Sequence, residues 1–144
     1  MVDYLAKLMA EKLQQLSMTQ NKPIVLIPIP LHPRRHRERS FNQAEILSKA
    51  VQSKYSAHLE IKKVLKRVKY TSQQAKLNRA ERQKNLSEAF ALQPNVDLEP
   101  LNKSICFLVD DVCTTGATLE NAAKILKAAG VERVYGLVAA RAFK

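Results

Sequence analysis

Glycine is scarce in this chain, with three in 144 residues, at positions 116, 130 and 136. That scarcity excludes the glycine-rich phosphate cradles of the G-x-x-x-x-G-K and G-x-G-x-x-G kinds. Tryptophan is absent, and four Tyr and four Phe offer few platforms on which unpaired bases could stack. The two cysteines, Cys106 and Cys113, have no histidine at ligand spacing, which argues against zinc and reads as two reduced thiols. His32, His36 and His58 lack partners at metal spacing and read as surface residues. No apolar run approaches roughly 18 residues and no charged-then-apolar leader pattern opens the chain, so the expectation is a cytoplasmic protein that neither spans nor anchors in a membrane. Acid is in short supply too: 13 Asp+Glu face 24 Lys+Arg, a formal charge of +11. Such an excess favours polyanions, whether nucleic acid, an acidic membrane surface or a small substrate dense in phosphate. A basic surface that only maintains solubility stays open beside them.

What is present is an ordinary soluble composition, 46% hydrophobic, in a length that suits one domain over residues 1–144. Leu5, Leu8, Met9, Leu13 and Leu16 recur at helical spacing and predict an amphipathic helix within residues 1–20. "KPIVLIPIPLHP" predicts a buried strand over residues 24–27 that stops near Ile29, because prolines cannot donate to a sheet ladder, and then a rigid loop through "RRHRERS". Ser40-Phe41-Asn42-Gln43 reads as a Ser-x-x-Gln capping box opening a helix with Phe41, Ala44, Leu47 and Val51 inward. Residues 64–69 read as a strand, 71–90 as an exposed helix or basic flap, and "ALQPNVDLEPLNK" as a proline-punctuated connection. Residues 105–109 form an apolar run of the kind covered on both faces of a sheet. A helix through Leu119, Ala122, Ala123 and Leu126, closed by Gly130, precedes a last strand over residues 134–140. Strands alternating with helices predict an α/β fold with a mainly parallel central sheet flanked by helices.

The chemistry concentrates in "FLVDDVCTTGATLENAAKIL". In open parallel sheets, ligands bind beyond the carboxyl ends of the strands. Asp110 and Asp111 fall at one such end, and residues 114–118 fall where the next helix begins, where free N–H groups and the helix dipole favour an anion. Gly116 permits close approach of the backbone, and the hydroxyls of Thr114, Thr115 and Thr118 add hydrogen-bonding groups. The two halves prefer opposite charges: the turn suits phosphate, while the carboxylates suit hydroxyl donors or a divalent cation. A phosphorylated sugar is the simplest molecule that satisfies both. Two acidic residues placed only to favour a helix N-terminus would be the plain alternative.

"FLVDDVCTTGATL" resembles the phosphoribosyl-diphosphate (PRPP) signature of type I phosphoribosyltransferases. Together with "PIPLHPRRHRERSFNQAEIL" and "RAERQKNLSEAF" it resembles more narrowly the ComF/GntX family of competence and gluconate-utilisation proteins, over residues 28–140. The resemblance implies a type I phosphoribosyltransferase-like, Rossmann-like fold. It implies that Asp110 and Asp111 accept from the ribose 2′ and 3′ hydroxyls with Mg2+ close by, directly or through water. Thr114, Thr115, Gly116, Ala117 and Thr118 would form the 5′-phosphate loop. Arg35, Arg37 and Arg39 would face the pyrophosphate, and Arg79, Arg82 and Asn85 would belong to a flexible loop over the reacting centre. Asp110, Asp111, Arg79 and Arg82 are thus the catalytic candidates. Family members usually carry glycine before "FNQ", where this chain has Ser40, a change that is mild unless a positive φ is needed there. Larger members also carry a cysteine-rich zinc module that is missing here. Enzymes for 6-oxopurines have aspartate at the position of Thr114, so hypoxanthine and guanine are disfavoured as acceptors.

The activity so implied is transfer of a phosphoribosyl group to an unidentified acceptor, in service of DNA uptake. Single-stranded DNA, proteins of the competence machinery and a second copy of the chain stand as further open partners. The rival reading is a non-catalytic nucleic-acid- or protein-binding competence factor built on the same scaffold.

Overall fold

The computed structural model describes residues 1–55, 57–68, 80 and 89–142. Helix α1 (Val2–Gln20) buries Ala6, Met9, Ala10 and Leu13 and ends at Asn21, whose positive φ of 49° suits an asparagine at a helix end. Leu13 is fully buried, whereas Leu8, placed inward by the sequence pattern, is exposed. Strand β1 (Ile24–Pro28) is buried at every position. It is followed by helices α2 (Pro33–Arg39) and α3 (Gln43–Lys54), then the short strands β2 (Leu59–Ile61), β3 (Leu65–Arg67) and β4 (Phe90–Leu92). A one-turn helix α4 (Glu99–Asn102) leads into β5 (Ile105–Cys113), α5 (Ala117–Ala128) and β6 (Val134–Arg141).

Four strands form a wholly parallel sheet in the order β2-β1-β5-β6, and β3 pairs antiparallel with β4 as a separate ribbon. Side chains on successive strand residues point to opposite faces, so β1 and β5 divide their apolar residues between two cores. Ile24, Leu26, Ile105, Phe107 and Val109 pack under α1 and α3. Val25, Ile27, Cys106 and Leu108 pack under α5, Leu101 and the β3/β4 ribbon. Each fully buried Leu or Ile of these cores contributes about 1.5–3 kcal/mol. The α/β architecture with helices on a mainly parallel sheet is as the sequence predicts. Several local readings need correction.

Residues 33–39 are helix α2 and not a rigid loop. Pro33 sits in its first turn, where a missing N–H costs nothing, and His32 caps it by accepting from Arg34 N–H at 3.2 Å. Ser40 does not cap α3. It closes α2, with its own N–H donated to the His36 carbonyl at 2.8 Å and a φ of 60°. An N-cap needs an extended backbone, and Asn42 supplies it (φ −110°), its Oδ1 accepting from Ala44 N–H at 3.0 Å. Phe41 accordingly lies before α3, 47% exposed, and not on its inner face. The strand expected over 64–69 is the three residues of β3, with Lys69 outside the described residues, as is nearly all of the expected flap at 71–90. The proline-punctuated connection contains α4 and most of β4, and β2 has no counterpart in the sequence reading.

Ser40 therefore occupies a left-handed conformation that side chains with a Cβ adopt at a cost. Ser40→Gly should raise stability by about 0.5–1 kcal/mol and Ser40→Val should lower it by about 1 kcal/mol or more. Urea-denaturation midpoints check both.

Candidate functional site

The site forms where β1 gives out. Parallel pairing between β1 and β5 runs from Ile24↔Ile105 to Pro28↔Val109, and Ile29 N–H donates once more to the Val109 carbonyl at 2.9 Å. Beyond this point Pro30 turns the chain away, while β5 continues on β6 alone through Asp110↔Val138, Val112↔Ala140 and Cys113↔Arg141. Asp110 and Asp111 thus stand on the stretch of strand that has lost one neighbour. Alternation puts Asp110 on the face of Cys106 and Leu108, toward α5 and the β3/β4 ribbon, and Asp111 on the face of Phe107 and Val109. Asp110 is half-buried and Asp111 exposed. Each carboxylate accepts from the N–H of the next residue, Asp110 Oδ1 from Asp111 at 2.9 Å and Asp111 Oδ1 from Val112 at 2.8 Å. These two bonds hold both side chains against the strand.

The turn after β5 leads directly into α5. Gly116 caps the helix with a φ of 83°, a conformation that favours glycine. Thr115 Oγ1 accepts from Ala117 N–H at 3.3 Å. Among the described residues no acceptor engages the N–H groups of Thr114, Thr115 or Gly116, so the turn presents donors at a helix N-terminus. Asp110, Asp111, Thr114, Thr115, Gly116, Ala117 and Thr118 are therefore brought together, with carboxylates at one end and N–H donors at the other. Arg35, Arg37 and Arg39 lie on α2, which follows the strand adjacent to β5 and so belongs to the same end of the sheet. Arg37 and Arg39 are exposed in its last turn. Arg79, Arg82 and Asn85 lie outside the described residues.

One residue escaped the sequence reading. Arg67, on β3, stacks over the Phe90 ring at 5.1 Å, in register across the ribbon, and its charge acts on the Asp110 carboxylate. A signal existed in the alternation: Arg67 is two residues from the buried Leu65 and shares its face.

Burial pushes the Asp110 carboxyl up from 3.8 to about 6, a hydrogen bond with the Asp111 side chain and the charge of Asp111 add to the rise, and the Asp111 N–H and Arg67 partly offset it. Two adjacent carboxylates form an oxygen donor set suited to a hard cation. Among the described residues no group of three or more His, Cys, Asp or Glu could enclose one. A cation here would complete its shell with ligand oxygens and water.

A raised carboxyl pKa means the folded state binds the proton more tightly than the unfolded chain. The ionised group then costs stability above the folded pKa of about 6, and the cost vanishes as pH falls below the ordinary 3.8. Asp110→Asn should stabilise the ligand-free protein by on the order of 1 kcal/mol near pH 7.5, after allowance for partial exposure, with the gain shrinking toward pH 4. Urea denaturation across that range measures it; a less stable variant at the upper end would contradict the electrostatic reading.

Among the described residues no helix is long and apolar enough to cross a membrane. The family profile described as "Phosphoribosyl transferase domain" matches residues 2–142. The chain is 37% identical over 139 residues to Competence protein F of Haemophilus influenzae, covering 95% of this chain and 58% of that protein. It is 38% identical over 106 residues to Competence protein ComFC of Bacillus subtilis, covering 74% of this chain and 39% of the relative. In fold it is similar to a hypoxanthine phosphoribosyltransferase of Staphylococcus aureus, with a TM-score of 0.57, 16% identity, and 94% of this chain and 62% of that one covered. The parallel sheet flanked by helices agrees with these matches, and the chain belongs to the phosphoribosyl transferase domain family, of the ComF type.

Proposed function

We propose that this chain binds PRPP with Mg2+ and transfers its phosphoribosyl group to an acceptor, in the cytoplasm and in service of DNA uptake. The observation that carries the reading is the contiguous pairing of opposite preferences along one segment: carboxylates at Asp110 and Asp111, and N–H donors at Thr114, Thr115 and Gly116 that are unengaged among the described residues. PRPP carries hydroxyls and a 5′-phosphate on one ribose, and a pyrophosphate that the basic residues of α2 would face. Two relatives named as competence proteins support the role in DNA uptake. The chain spans about three fifths or less of the length of these relatives, so the role of the whole protein is part of the proposal.

In the transfer, a lone pair of the acceptor forms a bond to the anomeric carbon as the bond from that carbon to the pyrophosphate oxygen breaks. Pyrophosphate leaves with the electron pair, and the acceptor releases a proton where its attacking atom carries one. Asp110 and Asp111 would hold the ribose hydroxyls and Mg2+, which when bound neutralises charge on the leaving group. The Thr114–Thr118 turn would anchor the 5′-phosphate, and Arg35, Arg37 and Arg39, with Arg79 and Arg82, would balance the departing charge. Thr114 offers no carboxylate to a purine ring.

A second reading rests on a separate observation: Arg37 and Arg39 are exposed close in sequence to Phe41, whose ring is also exposed. Bases and phosphates of single-stranded DNA could be held there without catalysis.

Calorimetric titration of PRPP with and without Mg2+ tests the first reading. Binding should require Mg2+ for full affinity and fall by at least about tenfold in Asp111→Asn, consistent with loss of a charge-assisted contact. No heat from the wild-type protein would contradict it. Fluorescence anisotropy with a labelled single-stranded oligonucleotide separates the second: binding that falls steeply with salt and with Phe41→Ala, but ignores Asp111→Asn, would favour the α2 surface.

A further inference from the structure

Among the described residues β6 has β5 on one side and no strand on the other. The Cys106 N–H donates to the Arg133 carbonyl at 2.9 Å, and the β5 register runs on from there without a bulge. Backbone groups alternate along a strand, so Val134, Gly136, Val138 and Ala140 turn their N–H and C=O groups to the open side. Edges of this length are ordinarily guarded by proline, lysine, a bulge or a covering element. Residues 134–140, "VYGLVAA", contain no proline and no charge.

The helix beside this edge is unfinished in the same direction. Helix α3 lies over β1, β2 and β5, and α1 packs against α3 and reaches β6. Asp3, bound to Lys54 of α3 at 3.1 Å, marks the flank of α1 that faces α3. At about 100° per residue the opposite flank carries Leu5, Leu8 and Lys12, and it overhangs the β6 edge. Leu5 is half-buried and Leu8 is 45% exposed. Tyr135 on β6 belongs to the same face, its ring 5.6 Å from that of Phe107 and still 49% exposed.

Both cores continue to this edge. Leu137 and Ala139 pack on the core under α1, while Gly136 lies so near Leu119 of α5 that a Cβ there would meet its Cδ1 at 3.1 Å. A strand added here must be apolar on both faces and bring helices to cover them, since a lone peptide would leave one or both faces in water. The strand of this chain that meets the requirement and stands unpaired on one side is β6 itself.

We propose that the β6 edge and the Leu5/Leu8 flank of α1 form a docking surface for a second copy of this chain, joined antiparallel into one continuous sheet. Stable interfaces take roughly 20–30 residues a side, so the eight of β6 require the helix flank as well. A two-fold axis at Val138 sets Tyr135 of each copy opposite Arg141 of the other, a favourable aromatic and cation pair. An axis at Leu137 would set Arg133 against Arg141 and is disfavoured. In a chain of formal charge +11 this uncharged strand edge is also where a like-charged copy meets least repulsion.

Sedimentation velocity of the full chain at micromolar concentration tests the proposal. A dimer is expected that tightens as NaCl rises from about 50 to about 500 mM, because screening weakens the repulsion between two basic copies. Val138→Pro removes an outward N–H from the edge and should weaken association at least about tenfold. Leu8→Glu acts from the helix flank without touching the sheet and should weaken it by at least about tenfold too, with thermal melts showing that each variant is folded. A monomer throughout the salt series overturns the proposal, as does a dimer that loosens with salt. A dimer that persists undiminished in a folded variant of either kind overturns it too, since the contact would then lie on another face.

Discussion

The termination of β1 is the constraint on which the rest of the site depends. Pro30 cannot donate to a ladder, so the pairing of β1 ends with the Ile29 N–H while its neighbour β5 runs on to Cys113. A strand flanked on both sides would have buried Asp110 and Asp111 in the sheet at high cost. With β1 gone and β6 still paired, the two carboxylates stand on a strand that is open on one side. The turn into α5 then follows within a few residues, so the donors and the carboxylates are parts of one segment and not of separate loops.

Electrostatics explains why such a basic chain keeps acid here. Asp110 is held partly desolvated beside a second carboxylate, an arrangement that works against the folded state when nothing is bound. Perturbed carboxyls of this kind cluster at functional sites. Arg67 offsets only part of the cost, and the stacking of its guanidinium on Phe90 fixes it to the ribbon.

Much of the molecule was legible because its signals are contiguous. The apolar runs of β1 and β5, the helical spacing of Ala122 and Leu126 and the Gly130 stop are local properties, and the packing respects them. The Asp-Asp and Thr-Thr-Gly cluster was readable for the same reason. What was not legible depends on competition or on distance. Pro33 looks like a breaker but serves as a helix start, and Ser40 has excellent capping chemistry yet is already committed to closing α2. Strand β2 is three residues long and exists through its pairing with β1. The relation between Arg67 and Asp110 spans 43 positions, from 67 to 110, and arises only when the ribbon packs on the sheet.

The central claim is that residues 110–118 form one site for one two-ended ligand. Amide chemical shifts followed by nuclear magnetic resonance during titration with PRPP and Mg2+ test it most directly. The largest shifts should fall on the N–H groups of Thr114, Thr115 and Gly116 together with those of Asp111 and Val112, and ribose 5-phosphate should reproduce the shifts of the turn. Shifts confined to the exposed arginines of α2, with the turn unmoved, would contradict it.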